Sequence, residues 1–290
     1  MSNKKNMVDE RFELCAVLFR LAGHPIYNRR ETDYHKELDA TFARFENHEA
    51  VEYTKTLPLG YGSVFRFSLH IEKKDNHFVF IEDISSLLNR HSQWDEETSK
   101  GFLEQLNKFY IDTNYAEFYN SHLELFEQAT KKFIDECYGK IDFEWFRKYI
   151  DLSKLGCIYS LSTGNFGMLF HDKIWYCLVY SDGWAIIHEY CHQFANPLAE
   201  KWYAEKPEFK KLCDDSFDKV PSAYQDDGVL VGCEYVTRAY NALYFEGREC
   251  TIIENGKTLE LSKEFFLSAE VEQGFIYIQE VYDMILELEK

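Results

Sequence analysis

Apolar residues recur at helical spacing through the first half of the chain. Phe12, Cys15 and Phe19 repeat every three or four positions, which predicts an amphipathic helix that ends at Gly23 and Pro25. The other predictions for this half are helices over residues 94–138, broken near Asp112-Thr113-Asn114, a helix over residues 141–150, and a polar turn at residues 73–76.

The pattern changes after Leu155. Three short apolar runs, at residues 157–161, 166–170 and 174–180, predict strands, and helical spacing returns after them. We therefore expect an α+β fold that is mostly helical. Residues 1–150 would form a helical N-terminal subdomain and residues 151–290 a second subdomain, or the two would form one continuous domain.

Gly164 and Gly167 flank Asn165-Phe166 at the start of the second predicted strand. We place Gly164-Asn165-Phe166-Gly167 on an edge strand, whose backbone could bind a peptide by strand addition. An ordinary hairpin bulge around the two glycines explains the same residues equally well.

The segment His188-Glu189-Tyr190-Cys191-His192 lies inside an apolar run. On a helix the two histidines are one turn apart on the same face, so both imidazoles can reach one zinc ion. Glu189 lies about 100° around the helix from His188, where it can activate a water molecule on the open metal position. The alternative is two core histidines bonded to backbone and a paired glutamate; a metal would satisfy all three buried polar groups together.

A zinc site with an open position needs a third protein ligand. Leu198 occupies the position six residues beyond His192 where one class of zinc peptidases has a histidine. Asp226 and Asp227 are candidates in a predicted loop, but Glu234 is favoured because it begins a helical segment that could face the motif helix. The alternative is that Glu234 lies on a solvated polar face.

Residues near Glu234 provide candidates for stabilising a substrate oxyanion. Arg238 lies one turn beyond Glu234 and could pair with a carboxylate or contact the substrate oxygen. Tyr224, Tyr235 and Tyr240 are the tyrosine candidates, and the sequence does not distinguish among them. The predicted catalytic residues are thus Glu189, Arg238 and Tyr235, and the predicted metal ligands are His188, His192 and Glu234.

The motif and its distant helical glutamate resemble the gluzincin branch of zinc metallopeptidases. More closely, the chain resembles a bacterial family filed as a domain of unknown function (number 4932), whose members are regarded as HExxH zinc peptidases. The matching segments are residues 8–23 with Tyr27-Asn28, residues 109–119, residues 188–197 and residues 234–239. The resemblance implies a zincin-like catalytic core, a small mixed or antiparallel sheet plus the motif helix. Arg238 departs from the gluzincin pattern, in which an acidic residue often follows the glutamate ligand, and Asn196 could replace it.

Composition narrows the class of partner. The chain has 32 Lys and Arg against 50 Asp and Glu, a net charge of −18, which argues against nucleic acids and anionic membranes.

None of the eight cysteines forms a Cys-x-x-Cys pair, and most lie in apolar contexts, which favours buried thiols in a reducing compartment. Since no apolar leader follows Met1, we expect a cytoplasmic protein, although a signal peptide removed from a secreted form would leave the same sequence.

These observations predict a zinc-dependent hydrolase, and specifically a metallopeptidase that acts on a peptide or protein. Zn²⁺ is the expected cofactor, and no nucleic acid or membrane partner is expected. Two alternatives remain from the sequence: a zincin-like module that binds a peptide or protein without turnover, and a helical scaffold with an accidental motif.

Overall fold

The structure is a computed structural model that describes residues 6–29, 31–58, 63–81, 94–163, 167–171, 174–179, 183–225, 227–248, 250–254 and 257–290. The expected α+β class, mostly helical with little sheet, is confirmed. The α-helices are α1 Glu10–Leu21, α2 Asp33–Phe42, α3 Glu49–Lys55, α4 Ser63–Leu69, α5 Glu96–Asp112, α6 Tyr115–Ser121, α7 Leu123–Glu136, α8 Phe143–Phe146, α9 Gly183–Glu205, α10 Pro207–Ser216, α11 Gly228–Tyr244, α12 Lys263–Glu272 and α13 Ile278–Leu288. The strands are β1 Ile71–Lys74, β2 His77–Phe80, β3 Leu155–Tyr159, β4 Gly167–His171, β5 Ile174–Val179, β6 Cys250–Glu254 and β7 Lys257–Leu261.

The chain divides into two compact units. The first comprises Met1–Ile141 and Ser153–Gly183, and the second comprises Asp142–Leu152 and Trp184–Lys290. The predicted boundary near residue 150 does not coincide with this division, because the strands that follow it group with the N-terminal helices.

Long-range hydrogen bonds explain why β3 belongs to the first unit. The N–H of Tyr159 donates to the carbonyl of Met7 at 3.0 Å. The fully buried carboxylate of Glu13 on α1 accepts hydrogen bonds from the hydroxyls of Ser160 and Ser162. A buried carboxylate needs such donors, so these contacts fix α1 against the end of β3.

The sheet of the first unit is small and mixed. β5 is the central strand; it pairs parallel with β3, with Cys157 opposite Cys177, and antiparallel with β4, with Leu169 opposite Tyr176. The predicted strands are therefore confirmed to within two residues at each described end. β4 is an edge strand, but residues 164–166 of the predicted edge segment lie outside the described residues.

Two helices of the second unit carry the motif residues. α9 runs from Gly183 to Glu205 with Pro197 inside it. α11 begins after Asp227, whose carboxylate caps the helix by accepting the N–H of Leu230 at 2.8 Å. α11 is buried on almost every side and packs against α10, α12 and α13, so its polar side chains need partners inside the unit.

Three segments differ from the sequence predictions. The helix expected over residues 141–150 is a helix only over α8, which Asp142 caps at its start. The turn predicted at residues 73–76 is confirmed for Asp75 and Asn76, whereas Lys73 and Lys74 belong to β1. This turn joins β1 to β2 in a stretch predicted to be mostly helical. The C-terminal third was also expected to be helical, yet it contains the hairpin β6–β7.

Among the described helices, none has both the length and the apolarity that a membrane span requires.

Candidate metal centre

The motif residues lie on one helix as the sequence predicts. His188 and His192 are one turn apart on α9, and their Nε2 atoms are 3.1 Å apart. The two side chains are 13% and 17% exposed. A ligand approaching from solvent could therefore reach the point on which both nitrogens converge.

Glu234 on α11 provides a third ligand group at the same point. Its Oε2 is 3.7 Å from Nε2 of His188, and its Oε1 is 3.6 Å from Nε2 of His192. Zinc–ligand distances of about 2.0–2.2 Å place the ligands of a tetrahedral site about 3.3–3.6 Å apart. His188, His192 and Glu234 thus form a group that could hold a metal ion, with all ligand atoms within 4.8 Å of one another.

The outer nitrogen of His192 faces hydrogen-bond acceptors. Its Nδ1 lies 2.9 Å from Oδ1 of Asn196 and 3.0 Å from Oγ1 of Thr237. These contacts favour the tautomer with the proton on Nδ1, which leaves the lone pair of Nε2 directed at Glu234 and His188. Asn196 therefore contacts a histidine of the motif, the role the sequence suggested for it.

The outer nitrogen of His188 faces Asn241 on α11. Nδ2 of Asn241 is 3.2 Å from Nδ1 of His188, whereas the buried Oδ1 of Asn241 has no hydrogen-bond partner among the described residues. Rotation of the carboxamide by about 180° would allow Oδ1 to accept a proton on Nδ1. That tautomer would free the Nε2 lone pair of His188 for a metal.

One carboxylate oxygen of the site is not satisfied by hydrogen bonding. Oε2 of Glu234 is buried and has no hydrogen-bond partner in the described part of the chain, although Nη2 of Arg238 is 3.1 Å away. The ion pair with Arg238 offsets part of the cost of burying this oxygen. A cation bound between Glu234 and the two histidines would offset more of it, so the donor set fits a divalent metal.

Glu189 lies beside this group and is only 8% exposed. Burial raises the pKa of Glu189 to about 7; the charge of Glu234 adds to this rise, whereas His192 and Arg238 oppose it. Burial, followed by the charges of His192 and Arg238, lowers the pKa of His188 well below its usual value. At neutral pH His188 is therefore uncharged, and Glu189 is close to the midpoint of its titration, as a general base needs.

Arg238 is enclosed by acidic and aromatic side chains. Nη1 donates to Oε2 of Glu270, Nη2 donates to the hydroxyl of Tyr224 at 3.2 Å, and the guanidinium carbon lies 4.3 Å from the ring centre of Phe275. Burial raises the pKa of Tyr224, and the charge of Glu234 adds to this rise, as does that of Glu189. Tyr224 is thus the candidate tyrosine whose hydroxyl is connected to the metal ligands.

The other two tyrosines are placed elsewhere. Tyr235, a predicted catalytic residue, is fully buried; its hydroxyl accepts the N–H of Tyr277 at 3.3 Å, and its ring contacts Phe275. Tyr240 donates to Glu289 at 3.2 Å. The structure brings neither hydroxyl into the group around Glu234.

Asp227, one of the two loop candidates for the third ligand, caps α11. Asp226, the other candidate, lies outside the described residues.

Glu270 and Thr237 were not predicted from the sequence. Glu270 is 3% exposed on α12, a helix that also carries Glu264 and Glu272. Because α12 has other acidic residues, nothing in the sequence marks Glu270 as the buried one or indicates Arg238 as its partner. Thr237 carries no signal of its own, because a threonine on a buried helix is common.

The chain was compared with protein-family models, curated proteins and solved structures, and none of them matches. The geometry of these side chains is therefore the evidence for what the site binds.

Proposed function

We propose that this protein is a zinc-dependent hydrolase and, more specifically, a metallopeptidase of the gluzincin type. The observation that carries the proposal is the convergence of His188, His192 and Glu234 on one point. The buried carboxyl of Glu189 is close enough to this group for the charges of His192 and Glu234 to shift its pKa. Two imidazoles and a carboxylate with an open position are the ligands typical of catalytic zinc sites, whereas structural zinc sites are closed by four protein ligands.

The proposed reaction is hydrolysis of an amide bond. A zinc ion, when bound, would act as a Lewis acid that polarises the substrate carbonyl and lowers the pKa of water at the site. His188, His192 and Glu234 would hold the ion. Glu189 would take the proton of the attacking water and then give it to the leaving amine. In the metal-free chain, burial raises the pKa of Glu189 to about 7, close to the neutral pH at which such proton transfers would take place.

The order of elements supports a zincin-like core. A small mixed sheet, β3–β5–β4, precedes the motif helix α9 directly in the sequence. The third ligand comes from a separate helix, α11, as the resemblance to gluzincins implies. The same resemblance suggests the family filed as a domain of unknown function (number 4932).

The proposed substrate is a peptide or protein, since a net charge of −18 disfavours nucleic acid and anionic membranes.

The proposed compartment is the cytoplasm. Cys15, Cys191 and Cys213 are buried thiols without disulfides, and burial raises the pKa of each. Such thiols are typical of proteins in reducing surroundings.

A peptide-library digest with Glu189→Gln as the paired variant tests the proposal. The amide keeps the shape of the side chain but cannot take a proton. We expect the zinc-loaded wild type to cut peptides, and Glu189→Gln to keep its zinc while turnover falls by about 10²–10⁴-fold. Zinc binding without cleavage of any peptide would instead support a binding module, and cleavage that survives in Glu189→Gln would remove the proposed general base.

A further inference from the structure

The guanidinium of Arg238 is already committed to protein partners. Its Nη1 donates to Glu270, its Nη2 lies between Glu234 and Tyr224, and its face lies against Phe275. The side chain is 7% exposed, and Nε is buried without a hydrogen-bond partner among the described residues. Arg238 is therefore held by protein groups and is poorly accessible to an incoming substrate.

The hydroxyl of Tyr224, unlike the guanidinium of Arg238, could donate a hydrogen bond to a substrate. It accepts a hydrogen bond from Arg238, and within the described residues no acceptor receives its own proton. The same Nη2 atom lies 3.2 Å from this hydroxyl and 3.1 Å from Oε2 of Glu234. Because one nitrogen atom of Arg238 contacts both oxygens, the hydroxyl of Tyr224 must lie near Oε2 of Glu234. Tyr224 is also only half-buried, on the short turn Ser222–Tyr224.

The charge of Arg238 changes what this hydroxyl can do. A phenol oxygen that accepts a hydrogen bond from a cation becomes a stronger donor, because hydrogen bonds in a chain polarise one another. A donor beside a metal site is useful where negative charge develops on a carbonyl oxygen.

We propose that Tyr224 is a catalytic residue that donates its hydroxyl proton in a hydrogen bond to the carbonyl oxygen of the substrate, and that Arg238 and Glu270 are positioning residues that hold this hydroxyl. The proposal rests on the proposed zinc-hydrolase function. It replaces the sequence-based expectation that Arg238 contacts the oxyanion directly.

Glu270 has a distinct part in this arrangement. Arg238 is buried beside two carboxylates, Glu234 and Glu270. Oε2 of Glu270 accepts a hydrogen bond from Nη1, which fixes the orientation of the guanidinium while Nη2 contacts both Glu234 and Tyr224. Without that acceptor the guanidinium would be free to rotate, and Nη2 would no longer be held against the hydroxyl of Tyr224. Glu270 therefore acts on the hydroxyl through Arg238 and does not itself touch the substrate.

Acetohydroxamate binding to the Co²⁺-loaded protein tests the role of Tyr224 without a known substrate. The hydroxamate carbonyl oxygen mimics that of a bound amide, and visible absorption of Co²⁺ reports binding. We expect Tyr224→Phe to keep its Co²⁺ and to bind acetohydroxamate about 10-fold more weakly, the loss typical of a hydrogen bond to a charged group. The control is Tyr203→Phe, which removes a hydroxyl bonded to Asp214 far along α9. This variant should keep the wild-type Co²⁺ content and the wild-type affinity for acetohydroxamate.

A double-mutant cycle tests the role of Glu270. Glu270→Gln should also weaken acetohydroxamate binding, and adding it to Tyr224→Phe should cause little further loss, because both changes remove the same hydrogen bond. Glu270→Asp keeps the charge and should recover part of the affinity. Additive losses in the double variant would show that Glu270 acts by another route and would overturn its positioning role.

The two proposals fail in distinguishable ways. If neither Co²⁺ nor Zn²⁺ binds, the hydrolase proposal fails, and this inference fails with it. If the metal binds but acetohydroxamate does not, or binds Tyr224→Phe as tightly as wild type, only the inference about Tyr224 is overturned.

Discussion

The carboxamide of Asn241 lies against the imidazole of His188, with Nδ2 at 3.2 Å from Nδ1. Asn241 is on α11, two turns beyond Glu234, so one buried helix supplies both a candidate ligand and a residue that orients another ligand. Arg238, one turn beyond Glu234, contacts Glu270 and Tyr224, whereas Asn241 contacts His188.

Asn241 should control zinc affinity through its side-chain oxygen. Asn241→Leu keeps the approximate volume but cannot accept the Nδ1 proton of His188, so zinc should bind about 10–100-fold more weakly. Asn241→Asp is the matched variant: its carboxylate accepts that proton, and zinc affinity should stay at or above the wild-type value. Competition with a chromophoric chelator measures both. Wild-type affinity in Asn241→Leu would show that His188 does not need this contact.

Variants of Glu234 and Asp227 should have different effects, the first on metal binding and the second on the stability of α11. Glu234→Ala removes one of three ligands and should reduce zinc binding as severely as loss of a histidine. Asp227→Ala should keep its zinc and lower the free energy of unfolding by about 1 kcal/mol, since it loses the cap of α11. Zinc content and urea unfolding, measured for both variants, test these two expectations. Zinc retained without Glu234 and lost without Asp227 would move the third ligand to the loop.

Glu189 should make the stability of the metal-free protein depend on pH. Its pKa is raised from 4.5 to about 7 in the folded chain. Between these values the folded state holds a proton that the unfolded state has lost, so stability falls as pH rises through this window, and above pH 7 the loss is complete. Glu189→Gln has no such titration. It should therefore be more stable than wild type by on the order of 3 kcal/mol at pH 8, and by less than about 1 kcal/mol at pH 5.

Urea unfolding of the two metal-free proteins at both pH values checks this difference. Titrating groups that do not interact with Glu189 are common to both proteins and cancel in the comparison. A Gln variant that is less stable than wild type at pH 8 would identify Glu189 as a paired structural residue rather than a carboxylate kept ready for proton transfer.

Local patterns were sufficient to predict most of the helices. The motif helix α9, the helix α11 and the break near residue 113 are all present. At that break, Asn114 adopts a left-handed conformation with φ of 52°. The hairpins were missed although the sequence carries signals for them. Asn255-Gly256 stands between β6 and β7 and is a strong hairpin signal, and Asp75, with φ of 54°, occupies the turn between β1 and β2.

Contacts between distant segments could not be predicted. The strands join the first unit through hydrogen bonds such as that from Ser160 to Glu13. Residues 142–152 join the second unit, where the N–H of Asp142 donates to the hydroxyl of Tyr244. Helical and strand periodicity identifies which face of an element is buried but gives no information about its partner.

The same limit applies to the site. Because two residues one turn apart on a helix share a face, the positions of His188 and His192 followed from their spacing. The choice of Glu234 required only that two apolar helices pack with their polar residues together. The selection of Tyr224 over Tyr235 depends on the path of the loop before α11, and the partner of Arg238 depends on how α12 packs. Neither is encoded in a local pattern.

The central claim is that His188, His192 and Glu234 bind one zinc ion. Anomalous X-ray scattering at the zinc absorption edge, from crystals of the zinc-loaded protein, tests it most directly. We expect a single strong peak per chain, about 2.0–2.2 Å from Nε2 of each histidine and from a carboxylate oxygen of Glu234, and no peak in His188→Ala or His192→Ala. Absence of a peak between these residues in the wild type, or a peak that persists in both variants, would contradict the claim.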